Sequence, residues 1–598
     1  MRRFLGIGIL FLFLLEAFFS NCAKKQSSRL PVTNKTILAT VDNHNISVHD
    51  FKLSYELFPY MLRPRGGFAA KKAQLDHMIQ RVLFAREAEK EGFASDSMVQ
   101  KYVDYYRKQA AIKELYRKEI QDKVTVPDAE ARQAYLKSLT KFHVRHLFAP
   151  SYREAENILR RLENGEDWDA IARETFRDKK LAQTGGDLGW VSWGDMDENL
   201  ENTIYHLKPN EISAPVRSRW GYHILEVLDV QKQAIPSEYD FQSHKKDFVH
   251  KIKMRKERKL AGKYVKKIMD PKHVLLKGKA FHYLNGQFQQ IFGKNPKKLP
   301  PYMPNIFDRE IGQIHSALQG HLNDTLLVFK GGHWTIGDFL QRLKDMPVVN
   351  RPHYENSKKL YNDIGIMIRN ETLAKIALKR GYDRHSEARK EFEEKRDDVL
   401  YSKMMMVLLD TINVTAEDVK AYYKSHPQEF MDPAKVNIRE ILVRNRSQAE
   451  KLLRLIRKGA NMEQLARKYS IRTWAAKKGG EFGYFRKSGH GKIGEIAFSL
   501  KVGDLYGPLE ILGGPPHGGY SIFRVIGKKS ARKLPFSEIK DNLKQRLLQK
   551  RQLAAMNKFY KKLQNKFYVQ ANYNLLKKVE TIDDKGTMPL YVMPIQNF

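Results

Sequence analysis

Three runs decide the fold of this chain: VRHLF at residues 144–148, GGDLGWVSWGDM at 185–196 and SRWGYHILEV at 218–227. The first and third are rich in apolar residues, as strands are, and the glycines of the second favour a tight turn. Residues 152–164 and 168–175 between them have the periodicity of helices. The sequence therefore predicts a small domain of strands and helices, with a closing strand at the end of the third run.

The same plan occurs twice along the chain. Five pairs of similar segments follow one another in the same order, at spacings of 287 to 299 residues. The pairs are 37–51 with 326–339, 124–138 with 412–425, 144–148 with 438–442, 185–186 with 479–480, and 235–248 with 534–547. So many ordered matches at nearly one spacing predict a tandem duplication. Each copy holds a strand with a helical stretch, the domain of strands and helices, and a long basic helix.

Composition narrows the class of protein. The 598 residues include 106 Lys and Arg against 68 Asp and Glu, a formal charge of +38, and 42% are hydrophobic, which is enough to fill several cores. The single cysteine, Cys22, excludes an intrachain disulfide framework and any multi-cysteine metal site. The charge attracts nucleic acid, lipid headgroups and acidic unfolded chains alike, so it does not identify a partner.

The first 22 residues predict export. Arg2 and Arg3 precede a twelve-residue apolar run at 4–15, which is short for a spanning helix and typical of a signal peptide. FSNC at 19–22 resembles a lipoprotein box, with Cys22 as the acylated N-terminus, although Phe and Asn replace the usual Leu and small residue. An ordinary cleaved signal and an uncleaved anchor are the alternatives. We expect a periplasmic, membrane-anchored lipoprotein, at the outer rather than the inner membrane, with no later spanning segment.

Residues 142–230 resemble a parvulin-type (PpiC) peptidyl-prolyl cis-trans isomerase domain along their whole length. With a helical lobe before it, a basic helix after it and an export signal, the chain resembles the SurA and PrsA family of extracytoplasmic chaperones. It departs from SurA, which has one helical lobe and two adjacent parvulin domains. The resemblance implies a multidomain α+β fold, in which two helical lobes alternate with two parvulin-like domains, each an FKBP-like half-barrel sheet with helices.

The domain boundaries expected from this resemblance cover the whole chain. They are 1–21 signal peptide, 22–36 linker, 37–139 first helical lobe, 140–231 first parvulin domain, 232–285 basic helix, 286–432 second helical lobe, 433–530 second parvulin-like domain, and 531–598 basic C-terminal helix and tail.

The resemblance also implies the site residues of the first domain. The predicted catalytic residues are His146, Asp178, Ser218 and His223, and the predicted proline-pocket residues are Leu188, Met196 and Leu200, with Leu200 where Phe is usual. An X-Pro bond isomerises slowly because resonance keeps the amide planar. A site that favours the twisted amide needs an apolar pocket and polar groups but no cofactor. We expect no metal, since His143 and His146 lie on opposite sides of a strand, and the glycines at 185–189 do not have P-loop spacing.

The second domain, at 435–526, keeps the scaffold and loses these polar groups. Glu440 replaces the first histidine, Arg472 the acid, Gly489 or His490 the methionine, and Ser521 the last histidine. We expect no isomerisation there. The surviving groove is predicted to bind peptide, and a purely structural spacer is the alternative.

Two classes of function remain. The first is an exported isomerase and chaperone that acts on unfolded or nascent exported polypeptides containing X-Pro bonds. The second is a non-catalytic holdase or assembly scaffold whose parvulin-like domains only bind peptides. Nucleic acid is not an expected partner. Residues 245–267 hold 11 basic and 2 acidic residues, and 533–568 hold 10 and 2; these two helices are predicted to be solvated or to attract acidic clients or anionic lipid.

Overall fold

The computed structural model describes residues 33–57, 67–233, 235–293, 306–513 and 518–582. The predicted signal peptide, Cys22 and the tail at 583–598 lie outside these ranges. Within them, no helix combines the length and the apolar character needed to cross a membrane. The mixed α+β architecture expected from the sequence is confirmed: helices and small antiparallel sheets alternate along both halves of the chain.

The first half contains the following elements. The strands are β1 (Ile37–Val41), β2 (His44–Ser47), β3 (Thr140–Ala149), β4 (Asp187–Val191), β5 (Val216–Arg217) and β6 (Tyr222–Lys232). The helices are α1 (Val48–Leu57), α2 (Gly67–Lys90), α3 (Ser97–Glu119), α4 (Asp128–Ser138), α5 (Tyr152–Glu163), α6 (Trp168–Thr175), α7 (Lys179–Gln183), α8 (Glu198–Ile204) and α9 (Glu238–Met269).

The second half follows a similar order with additional short elements. The strands are β7 (Leu275–Leu276), β8 (Thr325–Phe329), β9 (Gly332–Thr335), β10 (Met431–Asp432), β11 (Lys435–Val443), β12 (Leu505–Ile511), β13 (Gly519–Lys529), β14 (Arg532–Lys533) and β15 (Val569–Ala571). The helices are α10 (Gly278–Phe288), α11 (Asp308–Ala317), α12 (Ile336–Asp345), α13 (Ser357–Lys379), α14 (Ser386–Asp410), α15 (Ala416–Ser425), α16 (Arg446–Arg457), α17 (Met462–Tyr469), α18 (Thr473–Ala476), α19 (Lys492–Ser499), α20 (Phe536–Lys566) and α21 (Tyr573–Leu576).

The chain forms two compact units. The first contains the described residues up to Lys403 together with those from Gln570 onward, and the second contains Met404–Val569. In the first unit, helices from both predicted helical lobes share a core, because Leu115 of α3 packs with Leu373 and Ala377 of α13. Salt bridges such as Arg86–Asp397 join α2 to α14 in the same unit. The two lobes are therefore packed together through apolar and charged contacts.

The end of the chain completes a sheet at its beginning. Strand β15 adds to β1 and β2, and β7 adds in the same way to β8 and β9. Leu576 and Val579, which follow β15, are buried, and Lys71 Nζ donates a hydrogen bond to the Val579 carbonyl at 2.8 Å. The strand that follows each basic helix thus forms the edge of a three-stranded sheet in a helical lobe. At the middle of the chain this places β7 and the start of α10 within the range expected for the first basic helix.

The first parvulin-like sheet has the antiparallel order β4-β3-β6-β5. One face packs on α5 and α6 through Leu147, Ile158 and Ile171. The other packs on α8, where Ile204 meets Val144 and Leu225. Because side chains alternate along β3 and β6, each strand serves both cores and also supplies one histidine to the site.

The first basic helix, α9, is tied to neighbouring elements along its length. Phe241 and Ile252 pack with Tyr135 and Trp193 in an apolar core. Five of its cations make ion pairs with acids of α4 or of the sheet domain: Lys245–Asp128, Lys251–Asp195, Arg255–Glu201, Lys256–Glu130 and Lys259–Glu198. Part of the charge that the sequence predicts to be solvated is therefore paired within the chain.

Candidate active site

Two histidines from adjacent strands form the centre of the site. In the β3–β6 register His146 lies opposite Leu225 and His223 opposite Phe148, so the two histidines are diagonal neighbours. Their rings stack with centroids 5.2 Å apart at 18°, and their Nδ1 atoms are 3.0 Å apart. One Nδ1 must donate and the other accept, which couples the tautomers of the two rings.

Ser218 extends this pair on one side. Its Oγ lies 2.9 Å from His223 Nε2 and accepts a hydrogen bond from the Trp220 backbone N–H at 3.1 Å. At the other end, His146 Nε2 is buried and has no hydrogen-bond partner among the described residues. A hydrogen-bonded chain of Ser218, His223 and His146 therefore ends in a buried nitrogen whose hydrogen-bonding capacity the described residues leave unsatisfied.

Burial keeps both imidazoles neutral at pH 7. Desolvation, and secondarily the neighbouring His223, lowers the pKa of His146 to about 4. Desolvation also lowers the pKa of His223, while the carboxylate of Asp197 acts in the opposite direction. A neutral pair suits a neutral amide substrate, because neither ring has to lose a charge when water is excluded.

The other predicted residues lie in different surroundings. Asp178 is exposed, and its carboxylate accepts hydrogen bonds from the backbone N–H groups of Lys180 and Leu181 at the start of α7. Leu188 is 39% exposed, whereas Leu200 is only 5% exposed and packs, with Met196, in the core beneath α8. The structure thus joins His146, Ser218 and His223 by hydrogen bonds, places Leu188 at the surface, and uses Asp178 as a helix cap.

Two aromatic rings beside the histidines do not follow from the sequence pattern. The ring of Phe176 lies 5.1 Å from that of His146, and the ring of Phe148 lies 5.3 Å from that of His223. Each lies two residues from a predicted site position in the sequence. An aromatic residue at the end of a helix or in a strand is ordinarily part of a core, so the sequence gives no reason to place either ring in the site. His143 is separate from this pair: it contacts Asp187 at 2.9 Å and stacks on Trp190.

A buried acid replaces the histidine pair in the second domain. Ser521 lies opposite Leu442, just as His223 lies opposite Phe148, and Glu440 therefore occupies the position of His146. Glu440 is fully buried; it accepts hydrogen bonds from Arg472 Nε and Ser521 Oγ, both at 2.7 Å. Burial raises the pKa of Glu440, and Arg472 and Ser521 oppose that rise. Strands β11 and β13 supply no imidazole here, and among the described residues Glu440, Arg472 and Ser521 bond to one another.

Aromatic rings border this second network. The Arg472 guanidinium lies 5.6 Å from the Phe482 ring, and Phe482 in turn contacts Trp474 at 4.8 Å and His490 at 4.7 Å between ring centroids. His490, rather than Gly489, supplies the side chain at the position of Met196, and its backbone is left-handed with φ 61°. Trp474 is 45% exposed. The groove of the second domain is therefore an aromatic surface over a closed ion pair.

We expect the first domain to lose stability in acid. The pKa of His146 is about 4 in the folded chain, against the ordinary value of 6.5 in the unfolded chain. The unfolded chain therefore binds the proton first as the pH falls. This contribution to stability is complete above pH 6.5 and is lost between 6.5 and 4, at a cost of about 3 kcal/mol. Urea titrations at pH 7 and 4.5 measure the loss, which should shrink in His146→Gln; an unchanged loss in that variant would contradict the assignment.

Two segments of the chain match family models. Residues 146–229 match a model described as a PPIC-type PPIASE domain, and residues 414–541 match a second model of the same description. A foldase protein PrsA from Geobacillus sp. (strain WCH70) is 31% identical over 160 residues, which are 26% of this chain and 56% of that protein. The chaperone SurA of Methylococcus capsulatus is 36% identical over 145 residues, 23% of this chain and 31% of that protein.

The chain spans about half the length of the first of these curated relatives. Among solved structures, one of two related SurA-like chaperones of Campylobacter jejuni covers 45% of this chain and 96% of its own, with 22% identity and a TM-score of 0.29.

Proposed function

We propose, from the two PpiC-type parvulin domains that this chain carries, that the protein is an exported peptidyl-prolyl cis-trans isomerase and chaperone. The first domain catalyses rotation about X-Pro bonds in unfolded exported polypeptides, and the second binds such chains without catalysis. The observation that carries this proposal is the hydrogen-bonded pair His146–His223, which is present in the first domain and replaced by a buried carboxylate in the second.

The order of hydrogen bonds gives the proposed mechanism. The Trp220 N–H donates to Ser218 Oγ, and we assign the serine proton to His223 Nε2 at 2.9 Å rather than to the more distant Gly221 carbonyl at 3.4 Å. His223 Nδ1–H then donates to His146 Nδ1, and His146 keeps a buried Nε2–H, which we assign as the donor to the substrate. In the planar amide the prolyl nitrogen lone pair is delocalised, whereas in the twisted state it is localised and accepts a hydrogen bond. The donor therefore stabilises the twisted state more than the planar one, which lowers the barrier without any covalent step.

We assign the positioning of the proline to Leu188 and Met196. Leu188 is exposed on β4, and Met196 is half-buried next to the core beneath α8. A proline ring packed on these side chains would be held while the preceding residue rotates. Leu200 contributes from below, as part of the core that supports Met196.

We assign the chaperone role to the helical lobes and the second domain. The aromatic surface of Trp474, Phe482 and His490 offers an apolar client segment a place to pack. PrsA and SurA relatives are named as a foldase and a chaperone, which supports this role. A structural spacer is the alternative for the second domain.

We further propose that residues 1–22 export the chain and that Cys22 is acylated. The charged start, the apolar run at 4–15 and the single cysteine after it support this step. Acylation would tether the protein to a membrane on the periplasmic side, at the outer membrane. Mass spectrometry of the N-terminus of the native protein tests cleavage and acylation together.

Cis/trans exchange distinguishes the isomerase from a non-catalytic holdase. The chain from residue 23 onward should accelerate exchange of an Ala-Xaa-Pro-Phe peptide, measured by NMR exchange spectroscopy, and should also suppress aggregation of an unfolded outer-membrane protein. Exchange no faster than in buffer, with aggregation still suppressed, would replace the isomerase with the holdase. Aggregation unaffected by the chain would remove the chaperone role.

A further inference from the structure

The loop between β5 and β6 is fastened directly to the catalytic pair. Ser218 bonds His223 Nε2, and the Ser218 N–H donates to the Gly221 carbonyl at 2.8 Å. Gly221 has φ 154°, and a Cβ there would lie 2.6 Å from the Ala149 carbonyl oxygen. The turn therefore fits tightly against β3, and its geometry depends on the same serine that contacts the histidine.

The end of β5 and this loop carry two exposed cations and an exposed indole. Arg217 and Arg219, which flank Ser218 in the chain, are both exposed, and Trp220 is 57% exposed. The Arg219 guanidinium lies 4.1 Å from the Trp220 ring. Neither arginine pairs with a carboxylate in the part of the chain that the structure describes.

A second group of cations flanks the other histidine. Phe176, whose ring lies 5.1 Å from that of His146, is followed in the chain by Arg177, Lys179 and Lys180. All three cations are exposed, and the described residues provide no carboxylate partner for them. Two acids of this region accept backbone hydrogen bonds: Asp178 caps α7, and Asp197 caps α8. We call Arg177, Lys179, Lys180, Arg217 and Arg219 the basic rim.

The second domain lacks this rim. Glu510 lies opposite Tyr520, as Arg217 lies opposite Tyr222, so an acid takes the place of the first loop arginine. Counting back from the glycine pairs 185–186 and 479–480, the positions of Arg177, Lys179 and Lys180 are held by Ile471, Thr473 and Trp474. Arg472, which takes the position of Asp178, is paired with buried Glu440. Within one chain, the rim thus accompanies the histidine pair and is missing where the pair is missing.

We propose that the basic rim makes the first domain select X-Pro bonds in which the residue before proline is acidic. This inference rests on the proposed isomerase function. The reacting amide joins that residue to proline, so its side chain must lie within a few ångströms of the catalytic pair and faces the loop or helix that borders it. Two guanidinium groups on a loop fixed by Ser218 attract a carboxylate there and repel an ammonium group. The exposed Trp220 beside Arg219 adds an apolar wall that reduces solvent screening.

The test compares three peptides on the chain from residue 23 onward. Ala-Xaa-Pro-Phe with Xaa as Glu, Gln or Lys differs only in charge at the proposed contact. We expect kcat/KM for Glu to exceed that for Lys by about tenfold, with Gln between them. Raising the salt concentration from 0.05 to 0.5 M should reduce this preference, because screening shortens the range of the charges. Equal values for Glu and Lys would overturn the inference while leaving the isomerase intact.

A charge-reversed rim supplies the decisive comparison. Arg217→Glu/Arg219→Glu should invert the preference, so that the Lys peptide becomes the better substrate; activity on that peptide also shows that the variant is folded. Lys141→Glu/Lys232→Glu is the matched control, because it changes the charge equally at the far ends of β3 and β6. It should keep the preference for Glu. An unchanged preference in the rim variant, or an equal change in the control variant, would contradict a local role of the rim. If the wild-type chain accelerated exchange of none of the peptides, the isomerase assignment would fail together with this inference.

Discussion

Replacing His146 by alanine is expected to lower kcat/KM for X-Pro exchange by about 100-fold, the effect of removing a preorganised hydrogen-bond donor from an enzyme site. The reason is the free Nε2, the one end of the Ser218–His223–His146 chain that has no partner among the described residues. Exchange spectroscopy at pH 7 measures the rate, and circular dichroism checks that the variant remains folded.

The chain offers a matched control for this substitution. His143 lies three residues earlier on the same strand, but it contacts Asp187 and stacks on Trp190, away from the pair. His143→Ala should therefore keep activity within about twofold of the wild type, whereas His223→Ala should approach the loss seen for His146→Ala. Similar losses for His143→Ala and His146→Ala would show that the effect comes from the strand and not from the imidazole pair.

The sequence predicted the positions of the pair but not how they are joined. His146, Ser218 and His223 follow from the pattern of a known domain, since residue type and spacing are enough to locate them. The tautomer-coupled contact between the two Nδ1 atoms depends on the β3–β6 register and on ring rotation, which no spacing specifies. Phe176 was missed for a similar reason, because its position beside His146 arises only when α6 packs on the sheet.

The sequence also does not predict which strands pair across long separations in the chain. Strand β15 pairs with β1, more than 500 residues earlier, and has only three residues with no strong alternation. Its place is set by the sheet edge that it completes and by burial of Leu576 and Val579. The partners of charged side chains are likewise not predicted from the sequence. The number of Lys and Arg residues in α9 predicts a basic helix, but only the fold shows that Arg255 pairs with buried Glu201.

The sequence shows which residues replace the histidine pair in the second domain, but it does not predict how those residues contact one another. Each change from the first domain, taken alone, indicates lost catalysis. Taken together, Glu440, Arg472 and Ser521 satisfy one another, so the former polar site has become a closed ion pair. The cost of burying its charges is offset by these mutual bonds, which should make the domain sensitive to the loss of any one partner.

Glu440→Ala is accordingly expected to destabilise the second domain by about 3–5 kcal/mol, because it leaves Arg472 largely buried without a counter-charge. Hydrogen exchange of the β11 and β13 amides in the full chain measures this locally. Glu450→Ala, which removes an exposed pair with Arg446 on α16, is the control and should change stability by less than about 0.5 kcal/mol.

A double variant separates the ion pair from the space it fills. Glu440→Leu/Arg472→Met removes both charges while keeping apolar volume, so it should recover most of the stability lost in Glu440→Ala. Recovery would show that the penalty in the single variant is the unpaired arginine. A double variant as unstable as Glu440→Ala would mean that removing the charge on Arg472 restores no stability. The shape of the buried carboxylate and its hydrogen bond to Ser521 would then be what holds β11 to β13.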